Sequence, residues 1–82
     1  MSYVTEVTEL FLSHRPGVTI LDPMDYTIIA EWEKQEIPVA IVLRSINEVY
    51  FKFKEENIKI ESISECHSVV KSNFRAWLAK DH

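Results

Sequence analysis

One stretch limits what this chain can become. Between Pro38 and Glu56, Val39, Val42, Leu43, Ile46, Val49, Tyr50 and Phe53 recur at the three-and-four spacing that lines one face of an α-helix. A helix with so long an apolar stripe draws its stability from elements packed on that stripe rather than from its own propensity. The rest of the sequence can therefore be read for segments able to cover it.

Three segments qualify. Ser2 stands at an N-cap position, and Val4, Val7, Leu10 and Phe11 follow at helical spacing, which predicts a first helix over residues 3–14. Its early β-branched residues would also suit a strand, but strict alternation fails at Leu10-Phe11-Leu12. Arg15-Pro16-Gly17 ends it, and Val18 to Leu21 forms a short apolar connector expected to lie across the bundle. Asp22-Pro23-Met24-Asp25 marks the next start. Asp22 is placed to cap, Pro23 to take the first helical position, and Asp25 to sit at the rim and complement the helix dipole. That second helix spans 23–36, with Ile28, Ile29 and Trp32 inward, and stops because Pro38 holds Ile37 extended.

The central helix then covers 38–56, with Pro38 as its first residue, and Asn57 stops it. Ile58 to Glu61 alternates like a short extended segment. Ser62-Ile63-Ser64-Glu65 matches a capping box and opens a fourth helix over 63–80, whose stripe is Ile63, Cys66, Val69, Val70, Phe74, Trp77 and Leu78. The expectation is a single domain, 1–82: an all-α, compact bundle of four helices around the third.

Ile41 and Phe51 fall off the main stripe of the central helix. Either that helix is covered on two sides, or these residues, with Leu12, Val18 and Ile20, mark a contact surface. A small core can gain stability by pairing with a partner. Ile41, Phe51 and Leu12 are accordingly the candidate protein-contact residues, for a partner protein or for self-association.

Composition narrows the classes. A single cysteine, Cys66, leaves no intramolecular disulfide and favours a reducing cytoplasm. No signal peptide is expected at the start, and the longest apolar run, Ile37 to Leu43, is far too short to span a membrane. The formal net charge is −4, with no global pull toward nucleic acid or anionic membranes. Charge is uneven, however: residues 1–41 carry net −5 and residues 42–82 net +1.

Catalytic constellations are hard to build from these residues. His14, Cys66, His67 and His82 have no zinc-motif spacing, and Cys66 and His67, being adjacent on a helix, point about 100° apart. A core role for Cys66 and a polar-side position for His67 are expected. With one glycine in the chain there is no phosphate-binding glycine loop. No catalytic, metal or cofactor site is expected.

A nucleic-acid reading draws on Lys52, Lys54, Lys59, Lys71, Arg75 and Lys80 with nearby aromatics, although most of those aromatics lie on the buried stripes. It gains one further support. The helix from Asp22-Pro23 to Trp32, the run Val42-Leu43-Arg44-Ser45-Ile46-Asn47-Glu48-Val49, and Ile63, Val69, Val70 and Trp77 of the last helix together resemble the helical domain of DnaD-type replication-initiation proteins. In that family the last helix and its tail help bind DNA, so the resemblance implies DNA contact through Lys71, Arg75 and Lys80. Where the family's last-helix motif opens with a tyrosine, this chain has Ser64-Glu65-Cys66, and almost no basic tail follows Trp77. The leading expectation is a non-catalytic protein-interaction module, with a DnaD-like DNA-binding accessory as its rival.

Overall fold

The computed structural model describes residues 2–80. Within them the chain forms α1 (Tyr3–Ser13), α2 (Pro23–Lys34), α3 (Val39–Glu55), a 3-10 turn (Ile63–Cys66) and α4 (His67–Leu78), with no strand among the described residues. The all-α bundle of about four helices is thus the fold. α3 lies between α1 and α4, while α2 packs chiefly on α1 and on the 3-10 turn. The buried side chains form one cluster, with Phe11, Ile29, Trp32, Val42, Ile46, Ile63 and Val70 removed from solvent entirely.

α3 shows why the third helix is the pivot. Its buried face consists of Ile41, Val42, Ser45, Ile46 and Val49, whereas Leu43, Tyr50 and Phe53 are only half-buried. The covered arc is therefore rotated from the expected stripe toward Ile41, which is 5% exposed and belongs to the core. Ser45 explains the rotation. Its hydroxyl donates to the Ile41 carbonyl at 2.7 Å and accepts from Asn73 Nδ2 of α4 at 2.9 Å, so the polar side of α3 is where α4 sits. The two-sided cover is the one expected for a central helix. Ile41 consequently offers nothing to a partner.

The helix ends follow from local hydrogen bonding. Ser2 caps α1 by accepting from the Thr5 N–H at 3.1 Å. Asp22, by contrast, makes no side-chain cap; Pro23 starts α2 with the Asp22 backbone extended. Pro38 is the N-cap of α3 rather than its first residue, with φ −54° and ψ 135°. α2 and α3 both stop in the same six-residue reversal. Ile37 N–H donates to the Trp32 carbonyl across Glu36 at φ 61°, and Ile58 N–H to the Phe53 carbonyl across Asn57 at φ 57°. Asn57 was legible as a stop; the stop near Glu36 was expected too, but not its left-handed backbone, which is uncommon for a glutamate. Pro38 alone does not end α2: the reversal does, anchored by Ile37, which is 1% exposed.

The corner between α2 and the 3-10 turn differs most from expectation. Asp25 is 3% exposed rather than at the rim, and its Oδ1 accepts a 2.9 Å hydrogen bond from the Ser62 hydroxyl. Ser62 also caps the turn, accepting from the Ser64 N–H at 3.2 Å, while Glu65 Oε2 accepts from the Glu61 N–H at 2.8 Å. The capping box is present, and the Ser62 hydroxyl also takes the N–H two residues on within a first turn wound as 3-10. Two of the expected outer members lie elsewhere. Leu78 is 55% exposed, and of the Val18–Leu21 connector only Leu21 is buried.

Two substitutions test this account. Ser62→Ala removes a cap and strips a buried carboxylate of a partner, and should cost ~1–3 kcal/mol in urea unfolding; a loss of only a few tenths would contradict the role given to Asp25. Glu36→Gly relieves the left-handed strain and should raise stability by ~1 kcal/mol by the same measurement. An unchanged or lowered midpoint would show that the reversal carries no strain.

Candidate functional site

The ends of α1 and α3 come together around a groove of about 380 Å³. One side is His14, Arg15, Pro16 and Val18, where the chain leaves α1. The other is Tyr50, Phe53 and Lys54 from the last turns of α3, continued by Asn57, Ile58, Lys59 and Ile60. The Asn57 reversal directs this second wall: it turns the chain at the end of α3 so that residues 58–60 run back along the groove. Ile60 is buried and ties the wall to the core; Ile58 is 50% exposed.

Aromatic and charged groups are fixed inside it. The His14 imidazole stacks on Tyr50 with ring centroids 3.8 Å apart and planes 15° from parallel. Its Nε2–H donates to Asn47 Oδ1 at 2.8 Å, which sets the ring's orientation. The Lys54 ammonium lies 5.9 Å from the centre of the Tyr50 ring, and Phe51 meets the edge of Tyr50 at 5.3 Å. Arg15 donates to the Glu61 carbonyl at 2.8 Å and lies 6.0 Å from the Phe11 ring centre, pinning the α1 side of the groove to the chain entering the 3-10 turn. Arg15, Lys54 and Lys59 line the groove and no carboxylate residue does; Glu55, Glu56 and Glu61 are exposed nearby in the chain but are not among its lining residues.

The residues singled out in the sequence fall in different places. Ile41 is in the core, Leu12 is half-buried against it, and Phe51 is 56% exposed. Phe51 alone of the three is open to solvent, and it adjoins the groove through Tyr50. Of the basic residues assigned to the last helix, Lys71 donates to Oε1 of Gln35 at the end of α2, Arg75 is exposed on α4, and Lys80 is exposed two residues past the end of α4. The groove itself was not anticipated. Its residues lie in two stretches more than thirty positions apart, and each had a local explanation: Arg15-Pro16 as a helix stop, Tyr50 and Phe53 as stripe. Only the convergence of two helix ends reveals them as one surface.

Cys66 and His67 lie apart from the groove. Cys66 is buried, and its thiol is pushed up to about 12 by that burial, with the charges of Glu65 and Asp25 adding to the effect. His67 Nδ1 accepts the Trp32 indole N–H at 3.0 Å. No group of three His, Cys, Asp or Glu side chains among the described residues is arranged to hold a metal ion, and His82 lies outside them. No helix among the described residues is long and apolar enough to cross a membrane.

Alkaline pH provides a check on the buried thiol. The phenol of Tyr3 is likewise raised from 10.0 to about 12, first by burial and then by Glu33. Both groups hold their protons more tightly folded than unfolded, so their contribution is complete below pH 9 and is lost as pH rises from 9.0 toward about 12. Urea midpoints should fall through that window, and Cys66→Ala should flatten the part of the fall that starts near 9.0. An identical pH slope in the variant would place the cause elsewhere. Against known proteins, no family model, no curated protein and no solved structure matches this chain.

Proposed function

We propose that this chain is a non-catalytic helical interaction module that engages a protein partner at the groove between the ends of α1 and α3. The observation that carries this reading is adjacency: an open, partly apolar groove has Tyr50 in its wall, and Tyr50 packs edge-to-face with Phe51, which is 56% exposed. Contiguous exposed apolar surface of this kind marks interaction sites on small domains. The reactive side chains support the non-catalytic part, because Cys66 is buried with a raised pKa and His14 and His67 are held by Asn47 and Trp32. A second copy of the chain is one admissible partner.

The rival reading, a DnaD-like DNA-binding accessory, has the exposure of Arg75 and Lys80 in its favour. Against it stand the engagement of Lys71 with Gln35 and the net charge of −4.

A photo-crosslinking amino acid at position 51 should give a discrete protein adduct in cells producing the chain, while the same probe at exposed Glu31 on α2 should not. No adduct at 51, or the same adducts from both positions, would remove the reading. Sedimentation over a wide concentration range then decides whether the partner is a second copy. Fluorescent single-stranded and duplex DNA, titrated at two salt concentrations, tests the rival. Salt-sensitive binding that Arg75→Ala weakens would favour it over the protein-binding reading.

A further inference from the structure

The groove is lined by charge of the opposite sign to the chain's net charge. The chain carries net −4, yet the groove is lined by Arg15, Lys54 and Lys59 with no carboxylate among the lining residues. A cationic recess in an acidic protein repels neither small anions nor acidic chain segments, while the surrounding negative field disfavours a polyanion that must extend beyond the recess.

Two more features narrow the occupant. Phe53, Val18 and the half-exposed Ile58 give the groove apolar surface, so a ligand that brings charge alone would leave that surface wet. The wall also offers backbone. After Ile58 N–H pairs with the Phe53 carbonyl, Lys59 and Ile60 make no main-chain hydrogen bond to any of the described residues before Glu61 N–H meets Glu65. An unpaired run of main chain beside an apolar slot is suited to pairing with an extended peptide, in which alternate side chains point to opposite sides.

Resting on the interaction-module reading, we propose that the groove receives an extended, acidic segment of a partner protein in which Asp or Glu alternates with aliphatic residues. The aliphatic side chains enter between Phe53 and Ile58. The carboxylates meet Lys54 and Lys59, and the peptide main chain pairs along residues 59 and 60. Arg15 keeps free N–H donors beyond the one given to Glu61, since a guanidinium has five. A nucleic acid strand is a poorer occupant. Base binding by such grooves needs open aromatic faces, and Tyr50 is stacked by His14 and approached by Lys54.

The test uses the whole chain, isotope-labelled, and a short synthetic peptide of alternating Asp and Leu, followed by NMR titration and fluorescence anisotropy. Amide shifts should cluster at Val18, Lys54, Lys59 and Ile60, and the Lys54→Ala/Lys59→Ala double variant should weaken binding by about tenfold or more. Both lysines are exposed, so the fold should survive. As a second variant, Lys54→Glu/Lys59→Glu should lose the acidic peptide and gain one of alternating Lys and Leu. Equal binding of an Asn-Leu peptide, shifts lying elsewhere, or an oligothymidylate binding as well as the peptide would overturn the proposal. A protein adduct at position 51 combined with no peptide binding would overturn this inference while leaving the module reading in place; loss of both would remove both.

Discussion

The fold depends on α3 being covered from two sides at once. A helix buried along one stripe can be satisfied by a single neighbour, but Ile41, Val42, Ser45, Ile46 and Val49 occupy a wider arc. α1 closes one side of that arc and α4 the other, and the hydrogen bond from Asn73 to Ser45 fixes where α4 sits. The remaining elements hold those two covers in place. α2 packs on α1, and the Asp25–Ser62 bond ties the start of α2 to the turn from which α4 begins. Removing a partner from a buried carboxylate costs more than the bond itself contributes, so this corner secures the α4 side of the sandwich from a distance.

Much of this was legible in the residues. Apolar spacing located all four helices, Ser62 and Glu65 announced the capping box, Ser2 announced the first cap, and Asn57 the stop of α3. What escaped was relational. Asp25 reads locally as a dipole partner, and its burial depends on Ser62, thirty-seven positions later. Ile41 lies off the most regular stripe, and it is core because a polar pair, Ser45 with Asn73, decides which face α4 takes. The groove is the extreme case. Its two walls belong to different helix ends, and nothing within either stretch shows that they face each other.

The placement of charge fits this arrangement. Helix C-termini carry partial negative charge, and both α1 and α3 end at the groove. Arg15 and Lys54 sit at those ends, so the cations that make the groove distinctive also offset the dipoles of the helices that build it. The same side chains therefore serve the fold and the candidate site, while none of the acidic side chains of the first half of the chain lines the groove.

The reversal at Asn57 has a consequence for how such a fold could change over generations. The wall of the groove takes its direction from a local bond, Ile58 to Phe53, and its anchor from a single core residue, Ile60. Between those two points stands only Lys59, which is exposed and makes no contact with the packing of α1, α3 and α4 that its replacement would remove. The charge on the wall at Lys59 and the packing that holds the wall therefore rest on different side chains, and the first can change while the second stays as it is.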